Sequence, residues 1–349
     1  MHRTIKSTIR FSRFFLFYCF LTTLDSCTPI EVVKGNFTCS KVSVQAGPED
    51  FAYFPKLDGF FVSSADYRDT TTSGNLVWLD KITKQSSIIQ VLGLSETRFR
   101  PHGISFVSTS TQDFLYVISH PTPTSHKIHK FEIKVSNKLP NLLHVQTFED
   151  PKLTSPNDLF ALEDGTFFVS NDYGTSSNFG KFLHSLFRLE RADISFFDGK
   201  EFHFLEVPVA FGNGIFYYKD KNGKEWIHRS LFFDKSIGIY KLTRRVEAHP
   251  KLELVRKLPL ESGPDNIAKG LDNKMYVTGH PSTFSFLKHA RSKENFAPSE
   301  VIAYTLDDLK PVVVFRDDGS QISAASTAWN DGKVLWISQV FEPFLLECK

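Results

Sequence analysis

Residues 157–168 read NDLFALEDGTFF, and this short stretch decides the fold. A polar pair, Asn157 and Asp158, opens an apolar segment, the turn at Asp164 and Gly165 follows, and a second apolar segment comes after it. Two apolar segments joined by an Asp-Gly turn are typical of a β-hairpin.

The same hairpin pattern occurs six times in the chain. Its turns lie at positions 59, 113, 165, 223, 273 and 332, so that successive turns are 50 to 59 residues apart. A period of that length holds about four short antiparallel strands. The sequence therefore predicts an all-β fold, a six-bladed β-propeller formed as a single domain by residues 28–349. A chain of 349 residues with 41% hydrophobic residues is long enough for one such core.

Polar residues open the strand before five of these turns. The five pairs are Glu49-Asp50, His102-Gly103, Asn157-Asp158, Asn213-Gly214 and Asp265-Asn266. The innermost strands of a propeller converge on its axis, so we expect these side chains to meet at one mouth of the central channel. Carboxylate and amide oxygens without cysteine favour calcium, and a divalent cation would offset the repulsion among the carboxylates. The alternative is that these pairs only form Asx turns.

Two histidines lie on neighbouring strand segments of one predicted blade. His102 shares the position of the polar pairs, and His120 ends the following strand. One imidazole beside a metal can accept a proton from water, while a second relays that proton or orients the first. The pair therefore predicts a general-base dyad, although a single histidine is more often structural.

The amino-terminal residues 1–27 have the pattern of a secretory signal or signal anchor. Four basic residues precede the apolar run 14–24, which is too short for an ordinary membrane span. We expect a secreted or extracytoplasmic protein, which a retained signal could hold at a membrane or lipid surface. Cys27 ends a segment that only loosely matches a lipoprotein cleavage box. Without the first 26 residues the formal charge falls from +2 to about −1, which argues against nucleic-acid binding.

Two of the four cysteines bracket the predicted propeller. Cys39 lies at its start and Cys348 at its end, and an exported protein favours a disulfide between them that closes the ring. Two unpaired thiols are the alternative. Asn36 begins an Asn-Phe-Thr sequon, which predicts a glycosylation site.

Several motifs together resemble those of the paraoxonases, calcium-dependent arylesterases and lactonases built on a six-bladed propeller. The resemblance covers about residues 39–348. Its carriers are Gly47-Pro48-Glu49-Asp50, Pro101-His102-Gly103-Ile104-Ser105, Ser119-His120-Pro121, Pro156-Asn157-Asp158-Leu159, Ser170-Asn171-Asp172, Phe211-Gly212-Asn213-Gly214-Ile215, Asp265-Asn266-Ile267 and Gly279-His280-Pro281.

The resemblance implies two calcium ions in the channel. The ligands it implies for the catalytic ion are Glu49, Asn157, Asn213, Asp265 and Asn266. For the structural ion it implies Asp50, Asp158 and the backbone carbonyl of Ile104. Adjacent residues of one pair would then serve different ions, which the alternation of side chains along a strand would allow.

The resemblance also implies roles around the metal. His102 and His120 match the proton-transfer pair, Phe211 and His280 match residues of the substrate pocket, and the Cys39–Cys348 disulfide matches the family's ring closure. Three departures concern the substrate pocket. Gly279 replaces a free cysteine, Tyr173 stands where a histidine is usual, and residues 65–70 do not reproduce the active-site segment. We expect residues 175–183 and 282–297 to be pocket-lining loops.

These observations predict a calcium-dependent hydrolase of small carboxylic esters or lactones. Calcium would polarise the carbonyl, and water activated by the histidine dyad would attack it. One alternative is a propeller hydrolase of the gluconolactonase or strictosidine-synthase kind. The other is a non-catalytic propeller that calcium stabilises and whose face binds a partner.

Overall fold

The computed structural model describes residues 32–33, 37–245 and 248–349. The predicted signal segment 1–27 and the predicted glycosylation site Asn36 lie outside the described residues.

The described residues form six sheets, each of which is one blade of a β-propeller. The strands are β1 (Cys39–Ser43), β2 (Pro48–Phe54), β3 (Gly59–Ser64), β4 (Asn75–Asp80), β5 (Ser86–Ile88), β6 (Val91–Leu92), β7 (Pro101–Ser108), β8 (Asp113–Thr122), β9 (Ser125–Ser136), β10 (Leu139–Phe148), β11 (Pro156–Ala161), β12 (Phe167–Asn171), β13 (Ile194–Phe197), β14 (Phe202–Phe204), β15 (Gly212–Lys219), β16 (Glu225–Leu231), β17 (Ser236–Arg245), β18 (Ala248–Pro259), β19 (Gly263–Lys269), β20 (Lys274–His280), β21 (Ser299–Thr305), β22 (Val312–Asp317), β23 (Ala325–Asn330), β24 (Leu335–Gln339) and β25 (Phe344–Cys348). Blade 1 contains β2–β5, blade 2 β6–β10, blade 3 β11–β14, blade 4 β15–β18, blade 5 β19–β22, and blade 6 β23–β25 together with β1. The prediction of six blades is confirmed.

Both ends of the described chain meet in blade 6, where the ring closes. Strand β1 pairs antiparallel with β25, and Cys39 lies directly opposite Cys348. The two cysteines form the predicted disulfide, which joins residues 309 positions apart. In the chain-entropy view, a bond across so long a loop destabilises the unfolded chain by about 5 kcal/mol.

Aromatic side chains pack neighbouring blades against each other. Three such pairs, all with ring centroids 5.1 to 5.3 Å apart, are Phe54–Phe106 between blades 1 and 2, Phe160–Phe216 between blades 3 and 4, and Phe60–Trp329 between blades 1 and 6. Each pair adds about 0.5–1.5 kcal/mol beyond its buried area. This packing holds the six innermost strands, β2, β7, β11, β15, β19 and β23, around the axis.

Every innermost strand has a β-bulge near its start. The pairing of each with the next strand shifts register after Pro48, Pro101, Pro156, Gly212, Pro264 and Ala325. The polar pairs of the sequence occupy these bulges. Bulges re-aim side chains and often lie next to active sites. The bulge in each strand therefore directs these side chains toward the axis. The regular alternation of side chains along a strand does not explain their directions.

Two helices lie where we predicted loops, so that prediction was wrong. Helix α1 (Asn178–Phe187) lies between β12 and β13, and helix α2 (Thr283–Arg291) lies between β20 and β21. Each begins after a serine N-cap, Ser177 and Ser282, whose side chain accepts a hydrogen bond from a backbone N–H in the first turn. Within the described residues no helix has the length and apolar character that a membrane span requires.

Candidate functional site

The bulges bring five predicted calcium ligands together beneath one mouth of the channel. We call Glu49, Asn157, Asn213, Asp265 and Asn266 the oxygen cluster; all five are buried. Four of their oxygens have no hydrogen-bond partner among the described residues: Glu49 Oε2, Asn157 Oδ1, Asn213 Oδ1 and Asn266 Oδ1. A buried acceptor without a partner costs free energy, so four of them in one cluster indicate that a ligand satisfies them.

Blade 6 supports this cluster with residues that the sequence patterns did not reveal. Ser326 Oγ donates to Glu49 Oε1 at 2.7 Å, and Asn266 Nδ2 donates to the same oxygen at 3.0 Å. Ser326 and Thr327 occupy the bulge of β23, as the polar pairs do in the other five blades. Ser326 lies only six residues before the turn at 332, whereas the other pairs begin eight to eleven residues before their turns, and neutral hydroxyl groups did not stand out as a polar pair. The supporting bonds leave Glu49 Oε2 free.

The second members of two pairs make different contacts. We call Asp50 and Asp158 the blade-linking pair. Asp50 Oδ2 accepts a hydrogen bond from the backbone N–H of Ile104 in blade 2, and Asp158 Oδ2 accepts one from Ile215 in blade 4, both at 2.8 Å. Their Oδ1 atoms accept from the backbone N–H of the next residue. Ile104, a predicted backbone ligand, thus contacts Asp50 through its amide.

Burial and like charge act on these carboxyl groups together. Burial raises the pKa of Glu49, and the nearby Asp265 raises it further. Burial also raises the pKa of Asp50 and of Asp158, and each is raised further by a neighbouring carboxylate. A bound cation would remove this penalty and keep all three groups ionised.

The donor set therefore fits calcium. It offers carboxylate and amide oxygens from several strands, four of them unpaired, and no thiolate, which is the chemistry of a hard cation. Among the described residues, no group of three or more His, Cys, Asp and Glu side chains has the arrangement of a metal site. Three of the five residues in the oxygen cluster are asparagines, which are not among those four residue types.

His102 lies beside the cluster. Its Nε2 is 3.7 Å from Glu49 Oε2, and neither atom has a hydrogen-bond partner. Its Nδ1 is hydrogen-bonded to the hydroxyl of Tyr67 at 3.0 Å. Burial lowers the pKa of His102 to about 4, so the imidazole is neutral near pH 7. Tyr67 comes from the loop after β3, in which the sequence showed no recognisable motif.

His120 contacts His102 without a direct hydrogen bond between them. The two rings lie edge to face with centroids 5.0 Å apart. The Nδ1 of His120 is hydrogen-bonded to Nδ1 of His126 at 2.8 Å. Burial lowers the pKa of His120 well below its ordinary value and that of His126 to about 4. His126, on β9, is a third imidazole that the sequence analysis did not single out.

A large cavity of about 780 Å³ opens above the oxygen cluster. Phe211 and His280, the predicted pocket residues, both line it. The Nε2 of His280 is 2.9 Å from Asp265 Oδ2, and Phe211 lies edge to face with Tyr173. Helices α1 and α2 supply much of the remaining wall. The volume of the cavity lies within the usual range for small-molecule sites.

The structure explains one departure from the expected motif. A Cβ atom added to Gly279 would lie 2.1 Å from Ser262 Oγ, so a side chain at this position would displace that serine. Ser262 is buried and donates to Glu300. This serine therefore occupies the space into which a side chain at position 279 would extend.

Comparison with known proteins gives a consistent result. A sequence profile described as Arylesterase matches residues 30–348. The chain is 24% identical to serum paraoxonase/arylesterase 1 of Rattus norvegicus over 322 residues, which cover 88% of this chain and 86% of the rat protein. It is 26% identical to serum paraoxonase/arylesterase 2 of Bos taurus over 85% of this chain and 84% of the bovine protein. It is 24% identical to serum paraoxonase/lactonase 3 of Homo sapiens over 95% of this chain and 94% of the human protein.

Among solved structures, the fold resembles that of a gluconolactonase from Xanthomonas campestris. The TM-score is 0.52 at 13% sequence identity, covering 93% of this chain and 95% of that protein. At such low identity the similarity concerns the fold alone.

Proposed function

Because this chain belongs to the arylesterase family, we propose that it hydrolyses carboxylic esters and lactones with the help of calcium held in the propeller channel. The relatives above are named for arylesterase and lactonase activities. One observation carries the proposal for this chain. Among the described residues, the oxygen cluster has four unpaired buried oxygens, and Glu49, Asn157 and Asn213, which carry three of them, line a cavity that is large enough for a small ester or lactone.

The oxygen cluster would hold the catalytic calcium. When bound there, the ion would polarise the substrate carbonyl and offset the negative charge that develops on its oxygen. Glu49 and Asp265 would supply the ligand charge, and the three asparagines would supply neutral oxygens. Asp50 and Asp158, with the carbonyl of Ile104, would hold a second, structural ion. The support for this second site is the mutual repulsion of buried carboxylates.

His102 would act as the general base. Its Nδ1–H would donate to the Tyr67 oxygen, which leaves Nε2 unprotonated and free to accept a proton from water. The neutral state that burial imposes keeps this lone pair available near pH 7. The unpaired Nε2 lies next to the cluster, where the substrate carbonyl would also be placed.

His120 would assist this base from behind. Because the rings of His102 and His120 touch without a direct hydrogen bond, a water molecule or a small ring rotation would complete the relay. The hydrogen bond between His120 Nδ1 and His126 Nδ1 would orient the ring of His120. Phe211 and His280 would position the substrate. Phe211 would do so by apolar contact, and the hydrogen bond to Asp265 would hold the ring of His280 in place.

The location of the protein is part of the same proposal. The disulfide between Cys39 and Cys348 is typical of an oxidising compartment. We therefore infer a secreted or extracytoplasmic enzyme, in which the segment 1–27 directs export and, if retained, contacts a lipid surface.

The decisive experiment measures hydrolysis by the purified exported form. Phenyl acetate and a panel of lactones are assayed with calcium, after chelation, and with calcium restored. Loss and recovery of activity would support the proposal. Calcium binding without turnover of any substrate would contradict it and favour a binding propeller. Turnover that is insensitive to chelation would contradict the role of the metal.

A further inference from the structure

A second, smaller cavity lies next to the candidate active site. This side chamber, of about 250 Å³, shares Tyr67, His102 and Lys181 with the wall of the large cavity. Its remaining wall includes Arg98, Arg100, His120, His126 and Asp172. The chamber is too small for a whole drug-sized ligand but large enough for one substituent of a ligand.

The chamber has three cationic side chains without ion-pair partners. Within the described part of the chain, no carboxylate lies within 4.0 Å of the charged nitrogens of Arg98, Arg100 or Lys181, although ion pairs are common elsewhere on the molecule. The guanidinium of Arg100 is buried and donates to the backbone carbonyls of Asp66, Asp69 and Thr72. Backbone carbonyls satisfy its hydrogen bonds, and the carboxylates of Asp66 and Asp69 act on its charge only from beyond ion-pair distance.

Helix α1 adds to the positive potential. Its first-turn residue Asn178 lines the chamber together with Lys181, and no acidic residue occurs in that turn. The amino-terminal end of a helix carries a partial positive charge. Burial is the main cause of the lowered pKa of His102, His120 and His126, and the charge of Lys181 lowers the pKa of each further.

Three buried polar atoms of the chamber residues, His102 Nε2, His126 Nε2 and Asp172 Oδ1, have no hydrogen-bond partner among the described residues. Asp172 is the only carboxyl group among the described lining residues, so cations outnumber it three to one. The unpaired carboxylate oxygen of Asp172 opposes an anion, whereas Arg98, Arg100 and Lys181, which have no ion pair among the described residues, favour one.

We propose that the side chamber is an anion-binding subsite that takes a carboxylate group. The carboxylate has two possible sources: a substituent at the far end of an ester or lactone substrate, or the acid that hydrolysis releases. In both cases, the assignment of the carboxylate to a substrate or a product rests on the proposed hydrolase function. Binding of the anion itself does not depend on hydrolysis.

The first test measures binding directly, by isothermal titration of the calcium-loaded, purified exported form with adipate at constant ionic strength in chloride. Lys181→Gln and Arg98→Gln should each weaken binding by about tenfold, the factor typical of one charge-assisted hydrogen bond. Asp172→Asn should strengthen binding, because it removes the opposing charge, and misfolding of that variant could not produce such a gain. Lys221→Gln, which removes the same charge from an exposed turn, is the control and should bind as the wild type does.

The second test separates the two sources. It compares the para-nitrophenyl ester of hexanoic acid with the mono-para-nitrophenyl ester of adipic acid, which has the same chain length and a terminal carboxylate. If the substrate supplies the carboxylate, Lys181→Gln and Arg98→Gln raise KM for the adipate ester more than for the hexanoate ester. If the product supplies it, the two KM values change equally, and inhibition by added hexanoate weakens in both variants.

The outcomes keep this proposal distinct from the proposed function. No adipate binding, or equal affinity in all variants including Lys221→Gln, would overturn the subsite even if esters are hydrolysed. Binding that follows the chamber residues, without turnover of any ester, would support the subsite while the proposed hydrolase function fails.

Discussion

Two residues of the oxygen cluster, Glu49 and Asn157, directly precede the two residues of the blade-linking pair, yet the neighbours differ in their hydrogen bonds. Glu49 and Asn157 each present an oxygen without any partner, whereas the next residues, Asp50 and Asp158, accept backbone N–H groups on both carboxylate oxygens. The bulge at each site separates the two side chains. In these two pairs the first residue has an oxygen that is free for the catalytic ion, and the second residue joins adjacent blades through its Oδ2.

The largest expected effect is that of calcium removal on the oxygen cluster. Chelation should reduce ester and lactone hydrolysis to the background rate, because the carbonyl loses its electrostatic stabilisation. Stopped assays with a chelator, followed by calcium in excess, measure the loss and its reversal. A chelated protein that keeps full activity would contradict the assignment of the cluster.

The base beside the cluster should give the next largest effect. We expect His102→Gln to reduce kcat by roughly a hundredfold to ten-thousandfold. The melting temperature should change little, because within the described part of the chain the imidazole of His102 forms a single hydrogen bond, to Tyr67. His203→Gln, on an outer strand of blade 3, is the control for loss of an imidazole. Unchanged kcat in His102→Gln with every substrate tested would exclude the dyad.

Replacing one carboxylate at a time by its amide in the pair Glu49-Asp50 should separate calcium binding from the linking of blades. In Asp50→Asn the amide nitrogen replaces an acceptor for the N–H of Ile104, which should lower the free energy of unfolding by about 1–3 kcal/mol. Glu49→Gln should instead lower calcium affinity and activity, with a smaller change in stability. Chemical denaturation and calcium titration of both variants measure the contrast. Equal losses of stability in both would remove the distinction between the cluster and the linking pair.

The smallest expected effects concern two supporting serines. Ser326→Ala removes the donor to Glu49 Oε1 and should weaken calcium binding by about tenfold, as is usual for residues that orient a ligand. Ser63→Ala removes a hydroxyl that bonds to the backbone of Asp50 and should leave calcium affinity unchanged. Calorimetric calcium titration of the two variants is the comparison. A similar loss of affinity in both would show that the effect is not specific to the Glu49 carboxylate.

Some site residues could be read from the sequence because their chemistry is conspicuous. Glu49, Asn157 and Asp265 are carboxylates or amides at a repeated distance from a hairpin turn. Ser326 occupies the same structural position, but a serine before a hydrophobic strand gives no comparable signal. Tyr67 and Lys181 come from a loop and a helix between strands, and only the folded chain brings them to His102.

The sequence by itself determined the repeating hairpin, the number of blades, the ring-closing disulfide and the oxygen chemistry of the channel. The hairpins and the number of blades depend on local periodicity, and the disulfide and the oxygen chemistry depend on residue type. The tertiary structure alone decided which residue of each pair has free oxygens, that two helices border the cavity, and that three cations gather beside His102. Those features depend on bulge geometry and on contacts between blades far apart in the chain, and no local pattern specifies them.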